Sequence, residues 1–104
     1  MARLTTSSTQ GENRITHSVI GEIKGTQYPD EIILIGGHLD SWDVGEGAHD
    51  DGTGVVQAIQ VIETLQAIGY TPNRTIRCVL FANEESGLAG GRAYADTSLS
   101  LIHI

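Results

Sequence analysis

Only one cysteine, Cys78, occurs in the chain, so no internal disulfide can brace it. Its place inside an apolar run reads as a small core residue rather than a nucleophile. Basic residues are scarce as well. Six Lys and Arg face 13 Asp and Glu, a formal charge of −7, which argues against a nucleic-acid partner held by general electrostatics. No apolar run approaches the roughly 20 residues that a membrane span requires. The opening MARLTTSSTQ lacks the apolar centre of a secretory signal, so a leader, if there is one, is expected upstream. Familiar site motifs are missing too. There is no HExxH helix, and neither GEG nor GTG extends to a GxGxxG nucleotide fingerprint. Counting from Asp40, Trp42 and Val44 fall where a calcium-binding EF-hand loop needs oxygen ligands. What is left, at 104 residues and 39% hydrophobic content, is one soluble globular domain or part of one.

What the chain does contain is concentrated in GGHLDSWDVGEGAHDDGTG, from Gly36 to Gly54. This stretch holds His38, Asp40, Asp43, Glu46, His49, Asp50 and Asp51 between an apolar run and a segment of helical periodicity. Imidazole and carboxylate donors suit zinc or a similar borderline metal, and the glycines permit the tight turns needed for ligands to converge. An ordinary solvated acidic turn has the same composition, so the loop alone does not decide between the two.

The neighbouring segments narrow the choice. Residues 1–17 read as a polar, Ser- and Thr-rich tail or a continued edge strand. Thr16 to Lys24 alternates as a strand, and GTQYPD, Gly25 to Asp30, is turn chemistry, so a hairpin with the next strand is expected. Glu31 to Ile35 is apolar on both faces, as a central strand covered by helices would be, and it runs directly into His38. Thr53 to Ile68 places Val55, Ala58, Ile59, Ile62 and Leu65 on one helical stripe, widened by Val61 and Ile68. Asp50, Asp51 and Thr53 are candidate caps, and Gly69 with Pro72 marks the helix end. Thr75 to Ala82 is a second apolar strand ending in Asn83, Glu84 and Glu85, and a short helix is expected from Leu88 or Gly90 to about Asp96.

Strand, helix and strand joined by short connections make a βαβ unit with parallel, neighbouring strands. Both strands then end on one edge, where α/β sheets bind their ligands. That edge receives His38 from the first strand, Asp50 and Asp51 from the helix entry, and Glu84 and Glu85 from the second strand. Five metal-ligand side chains, distant in sequence, are thereby expected in one place.

GGHLDSWDVGEGAHDDGTG followed by NEESGLAGGRAYA resembles metallopeptidase family 28, exopeptidases with two co-catalytic zinc ions, and within it the carboxypeptidase Q branch. The resemblance covers residues 18–96 and implies a three-layer α/β/α fold with a mixed, mostly parallel sheet. It implies that His38 binds one zinc, Asp50 bridges both, Glu85 binds the other and Glu84 is the general base. Asp40 would hold the imidazole of His38 from behind, and Asp51 would be a structural acid following an unusual peptide bond. A peptide is the implied substrate, in a secreted, lysosomal or periplasmic protein, with the oligomeric state left open.

Two departures qualify what the resemblance implies. His49 stands where many relatives have an aspartate, and reads as a loop residue. Two further ligands, an aspartate and a histidine, are expected from later chain and have no match here; His103, in the terminal LSLIHI, lacks their context. Residues 97–104 do not resemble the family, so the chain is expected to be an N-terminal portion of a catalytic domain, inactive alone. The other reading is a non-catalytic binding or structural module that carries a relict metal loop.

Overall fold

The structure, a computed structural model, describes residues 2–98. Residues 2–18 carry no regular secondary structure. Beyond them the order is β1 (Val19–Ile23), β2 (Tyr28–His38), α1 (Gly52–Ala67), β3 (Arg74–Phe81) and α2 (Ala89–Ser98). The three strands form one mixed sheet in the order β1-β3-β2, with β1 antiparallel and β2 parallel to β3. The parallel βαβ unit expected from the sequence is therefore present.

The expected hairpin is not. β3 lies between β1 and β2, and it, rather than β2, is the central strand among the described residues. The reason lies in side-chain chemistry. β3 is buried on both faces, with Ile76, Cys78 and Leu80 on one and Thr75 and Val79 on the other, so it gains most from neighbours on both edges. β1 alternates Gly21 and Glu22 with apolar residues and suits an edge, where Glu22 pairs with Arg77 directly across the ladder. In β2, Ile33 and Leu34 stay about half exposed. Thr75 absorbs the irregularity between Tyr28 and Ile32. Its hydroxyl donates to the Pro29 carbonyl at 2.7 Å and accepts from the Gly25 amide at 3.0 Å.

α1 packs on one face of the sheet, where Ala58, Cys78 and Leu80 form the core with Ile35, Val55 and Ile62 against them. Of the expected apolar stripe, Ile59, Val61 and Ile68 remain exposed, because the sheet beneath α1 is only wide enough to cover the Val55, Ala58 and Ile62 line. The helix starts on Asp51, whose carboxylate accepts from the Gly54 amide, and stops at Gly69, φ 65°, with Tyr70 donating to Leu65 at 2.9 Å. α2 contacts side chains of the opposite face. Tyr94 meets Phe81 edge to face at 5.7 Å between ring centroids and accepts a hydrogen bond from Arg77 at 2.8 Å. Helix, sheet and helix give the three layers of an α/β/α arrangement. No helix of the described residues is long and apolar enough to cross a membrane.

Candidate metal centre

Parallel β2 and β3 run in unbroken register from Ile32 opposite Thr75 to His38 opposite Phe81, so both chains leave the sheet at the same level. The Leu39 amide extends the pairing, donating to the Phe81 carbonyl at 2.7 Å. Past β3 the backbone turns at Asn83, φ 56°, a left-handed conformation that asparagine tolerates better than most residues. The turn closes through the Leu88 amide donating to the Glu84 carbonyl at 2.9 Å. Glu84 and Glu85 are thereby brought back over the end of β2.

Asp51 fixes the imidazole from the backbone side. One carboxylate oxygen accepts from the Gly54 amide at 3.0 Å and the other from the His38 amide at 3.1 Å, so a single side chain joins the helix start to the strand end. Gly37 permits this approach, since a Cβ there would lie 2.6 Å from the Asp51 carboxylate and 2.8 Å from the Val55 amide. The Asp50–Asp51 peptide bond is cis.

His38 sits between two kinds of oxygen. Its Nδ1 lies 2.9 Å from the Asp40 carbonyl, which can only accept, so Nδ1 carries a proton. Nε2 then faces Asp50 Oδ1 at 3.0 Å and Glu84 Oε2 at 3.9 Å. Between a neutral imidazole and a carboxylate at that distance two acceptors meet, and only a proton or a cation makes the contact favourable. Burial lowers the affinity of His38 for a proton, but the Asp40 carbonyl, Asp50, Glu84 and Asp51 together outweigh it and its pKa is raised.

Glu85 is the third donor. Its Oε1 is shut off from solvent with no hydrogen-bond partner, which removal from water and the nearby charges of Asp50 and Glu84 reflect in a raised pKa. One ligand atom from each of His38, Asp50 and Glu85 lies within 4.8 Å of the other two, the one such group among the described residues. A nitrogen and two carboxylates, one of them with an orphaned buried oxygen, are a donor set that suits zinc-type ions. Glu84, whose side chain is 39% exposed, stands at the rim.

A sequence model of peptidase family M28 matches residues 18–103. The chain belongs to that family. Within the M28 family it is 44% identical to carboxypeptidase Q of Rattus norvegicus over 77 residues, 74% of this chain and 16% of the relative. It is 34% identical to a probable leucine aminopeptidase 2 of Aspergillus oryzae over 83 residues, 80% of this chain and 16% of the relative. Among solved structures it is similar to a peptidase M28 precursor from Shewanella amazonensis SB2B, at 48% identity and a TM-score of 0.72, covering 81% of this chain and 19% of that one. The chain thus spans about a sixth of the length of the curated relatives it matches.

Of the M28 residues expected from sequence, the structure brings His38, Asp50, Glu84 and Glu85 together. Asp40 is adjacent and meets the imidazole through its backbone. Its backbone carbonyl accepts a hydrogen bond from His38 Nδ1, while its carboxylate stands 3.6 Å from Nδ1 and accepts from the Glu84 amide at 2.9 Å and the Glu85 amide at 3.0 Å. Two backbone donors aimed at one carboxylate prevail over a single imidazole N–H. Those bonds outweigh burial and hold the Asp40 pKa below its usual value. His49, Asp43 and Glu46 are exposed and outside the ligand group, and His103 lies outside the described residues. Trp42, given no role from the sequence, is an exposed aromatic residue on the loop between His38 and Asp50.

Proposed function

We propose that this chain supplies the metal-binding edge of a zinc-dependent exopeptidase acting on dipeptides or short peptides. The observation that carries the reading is the convergence of His38, Asp50 and Glu85 within 4.8 Å with Glu84 alongside. Zinc at such a site supplies Lewis acidity that polarises a peptide carbonyl and makes a water acidic enough to deprotonate near neutral pH. His38, through Nε2, and Glu85 would each hold one of two ions, with Asp50 shared between them. Glu84 accepts the proton of the attacking water and returns it to the leaving amine. Asp40 keeps base and ligand in fixed relation by binding both their amides. Asp51 fixes where the imidazole stands. Both carboxypeptidase and aminopeptidase names occur among the relatives, so the proposal is exopeptidase activity without assigning the end attacked. The precursor named among the solved structures supports an exported location.

Calorimetric titration of the chain with zinc tests the site: saturable binding that Asp50→Ala strongly weakens is expected, and absence of binding by the unaltered chain overturns the reading. Catalysis is tested by grafting residues 18–98 into the Shewanella M28 peptidase. In the graft, Glu84→Gln keeps zinc content and lowers turnover by about 10²–10⁴-fold; equal dipeptide hydrolysis by the variant removes Glu84 as the base.

A further inference from the structure

A cleft of about 240 Å³ opens directly beside the ligand group, lined by Ser41, Trp42, Gly47, His49, Asp50 and Glu85. Two of the three candidate ligand residues, Asp50 and Glu85, line it, so whatever occupies it abuts the proposed metal site. Its lining also includes Trp42, the chain's one tryptophan, with 67% of its surface exposed. The rest is small or polar, and Trp42 is the only large apolar surface that the cleft offers.

The loop carrying this ring is held rather than free. The Gly45 amide donates to the Trp42 carbonyl at 2.9 Å, the Ser41 hydroxyl to the Gly45 carbonyl at 3.2 Å, and the Gly52 amide to the Gly47 carbonyl at 2.7 Å. On the other side the Thr53 hydroxyl donates to the His49 carbonyl at 2.8 Å, fixing the backbone of His49. Between Trp42 and Gly45, Val44 is wholly exposed at φ 65°, a region that costs a β-branched residue on the order of 1–3 kcal/mol. A strained residue that touches nothing does not stabilise the fold. Its effect is to turn the chain tightly after Trp42, which lines the cleft.

Charge decides what the ring would meet. The stretch from Gly36 to Gly54 contains Asp40, Asp43, Glu46, Asp50 and Asp51 and no Lys or Arg. Asp50 and Glu85 are the proposed metal ligands and Asp40 and Asp51 are bound to backbone amides, but Asp43 and Glu46 stand exposed on the Trp42 loop. An acidic side chain approaching this loop is repelled, and an aromatic or aliphatic one finds an indole to pack on.

We propose that Trp42 is a specificity-determining residue: it seats an aromatic or aliphatic side chain of the substrate residue next to the scissile bond and, with Asp43 and Glu46 exposed on the same loop, disfavours an acidic one. This rests on the exopeptidase reading and adds the substrate class to it.

The single tryptophan makes the test direct. With the chain saturated by zinc, Gly-Phe, Phe-Gly, Gly-Leu, Gly-Glu and Gly-Gly are titrated while Trp42 emission is followed, and the affinities are measured independently by calorimetry. A saturable blue shift is expected with the Phe and Leu dipeptides, which bind about 10-fold tighter than Gly-Gly, with Gly-Glu weakest. Trp42→Ala is expected to erase that preference, and Trp42→Phe to keep most of it. Zinc affinity and the urea midpoint should stay unchanged in both variants, because the side chain is exposed and ligates nothing. An unmoved Trp42 emission, no dipeptide binding, or an unchanged preference in Trp42→Ala overturns the proposal. Failure of zinc itself to bind is the separate result that sinks the metal site.

Discussion

Five carboxylates crowd the end of this sheet, and they divide into two layers. In the inner layer, Asp40 and Asp51 each use both oxygens on backbone amides: Glu84 and Glu85 for one, His38 and Gly54 for the other. In the outer layer, Asp50 reaches only His38, Glu85 keeps a buried oxygen with no partner, and Glu84 stands at the rim. The same functional group thus does two jobs. Where its oxygens are satisfied it holds the fold; where they are not it is poised for a cation. Neighbours in sequence, Asp50 and Asp51, fall on opposite sides of this division.

The sharpest way to break the comparison is to remove one member of each layer and measure both stability and zinc affinity. Asp50→Ala should weaken zinc binding by at least ~100-fold, as loss of a ligand from a small donor set, and leave the metal-free urea midpoint unchanged. Asp51→Ala should do the reverse, costing about 2–3 kcal/mol in metal-free unfolding because it removes a helix cap and strands the part-buried amide of His38. Equal effects of the two substitutions on both measurements would erase the distinction between layers.

Asp40 comes next, at about 2 kcal/mol for Asp40→Ala. Its pH dependence sharpens the point. Because its folded pKa lies below the unfolded one, its contribution is full above the unfolded value near 3.9 and is lost as pH falls through the lower folded value. The acid limb of a stability curve should therefore flatten in Asp40→Asn, and a limb that keeps its slope would assign acid sensitivity elsewhere. The smallest effect is expected at Thr53→Val, about 0.5–1 kcal/mol, since its hydroxyl bond to the His49 carbonyl is exposed.

Much of this was legible in the sequence, and the illegible part has a physical explanation. Apolar runs before His38 and Asn83, with helical periodicity between them, are enough to place both strand ends and the helix start on one edge, because a βαβ crossover allows little else. Hence His38, Asp50, Asp51, Glu84 and Glu85 could be placed on that edge from the pattern, while their separate roles were implied only by the family resemblance. Strand order was not. Val19–Ile23 followed by turn residues looks like half of a hairpin, and that β3 would intervene depends on how much each strand gains from two neighbours, a property of the whole sheet. The division between layers was equally hidden. An aspartate whose oxygens meet amides and one whose oxygens meet nothing have the same letter, and only the turn at Asn83 determines that the Glu84 and Glu85 amides point at Asp40.

The carboxylate of Asp51 has one more consequence, and it concerns time rather than energy. Because it holds the amides of both His38 and Gly54, the first turn of α1 and the imidazole at the end of β2 open together or not at all. Helix ends fray, and local openings of this kind set the exchange rates of their amides. Any event that unwinds the start of α1 therefore also loosens the hold on the His38 backbone, so hydrogen exchange at Gly54 reports on opening of the proposed metal site. Zinc should slow the exchange of both amides by the same factor.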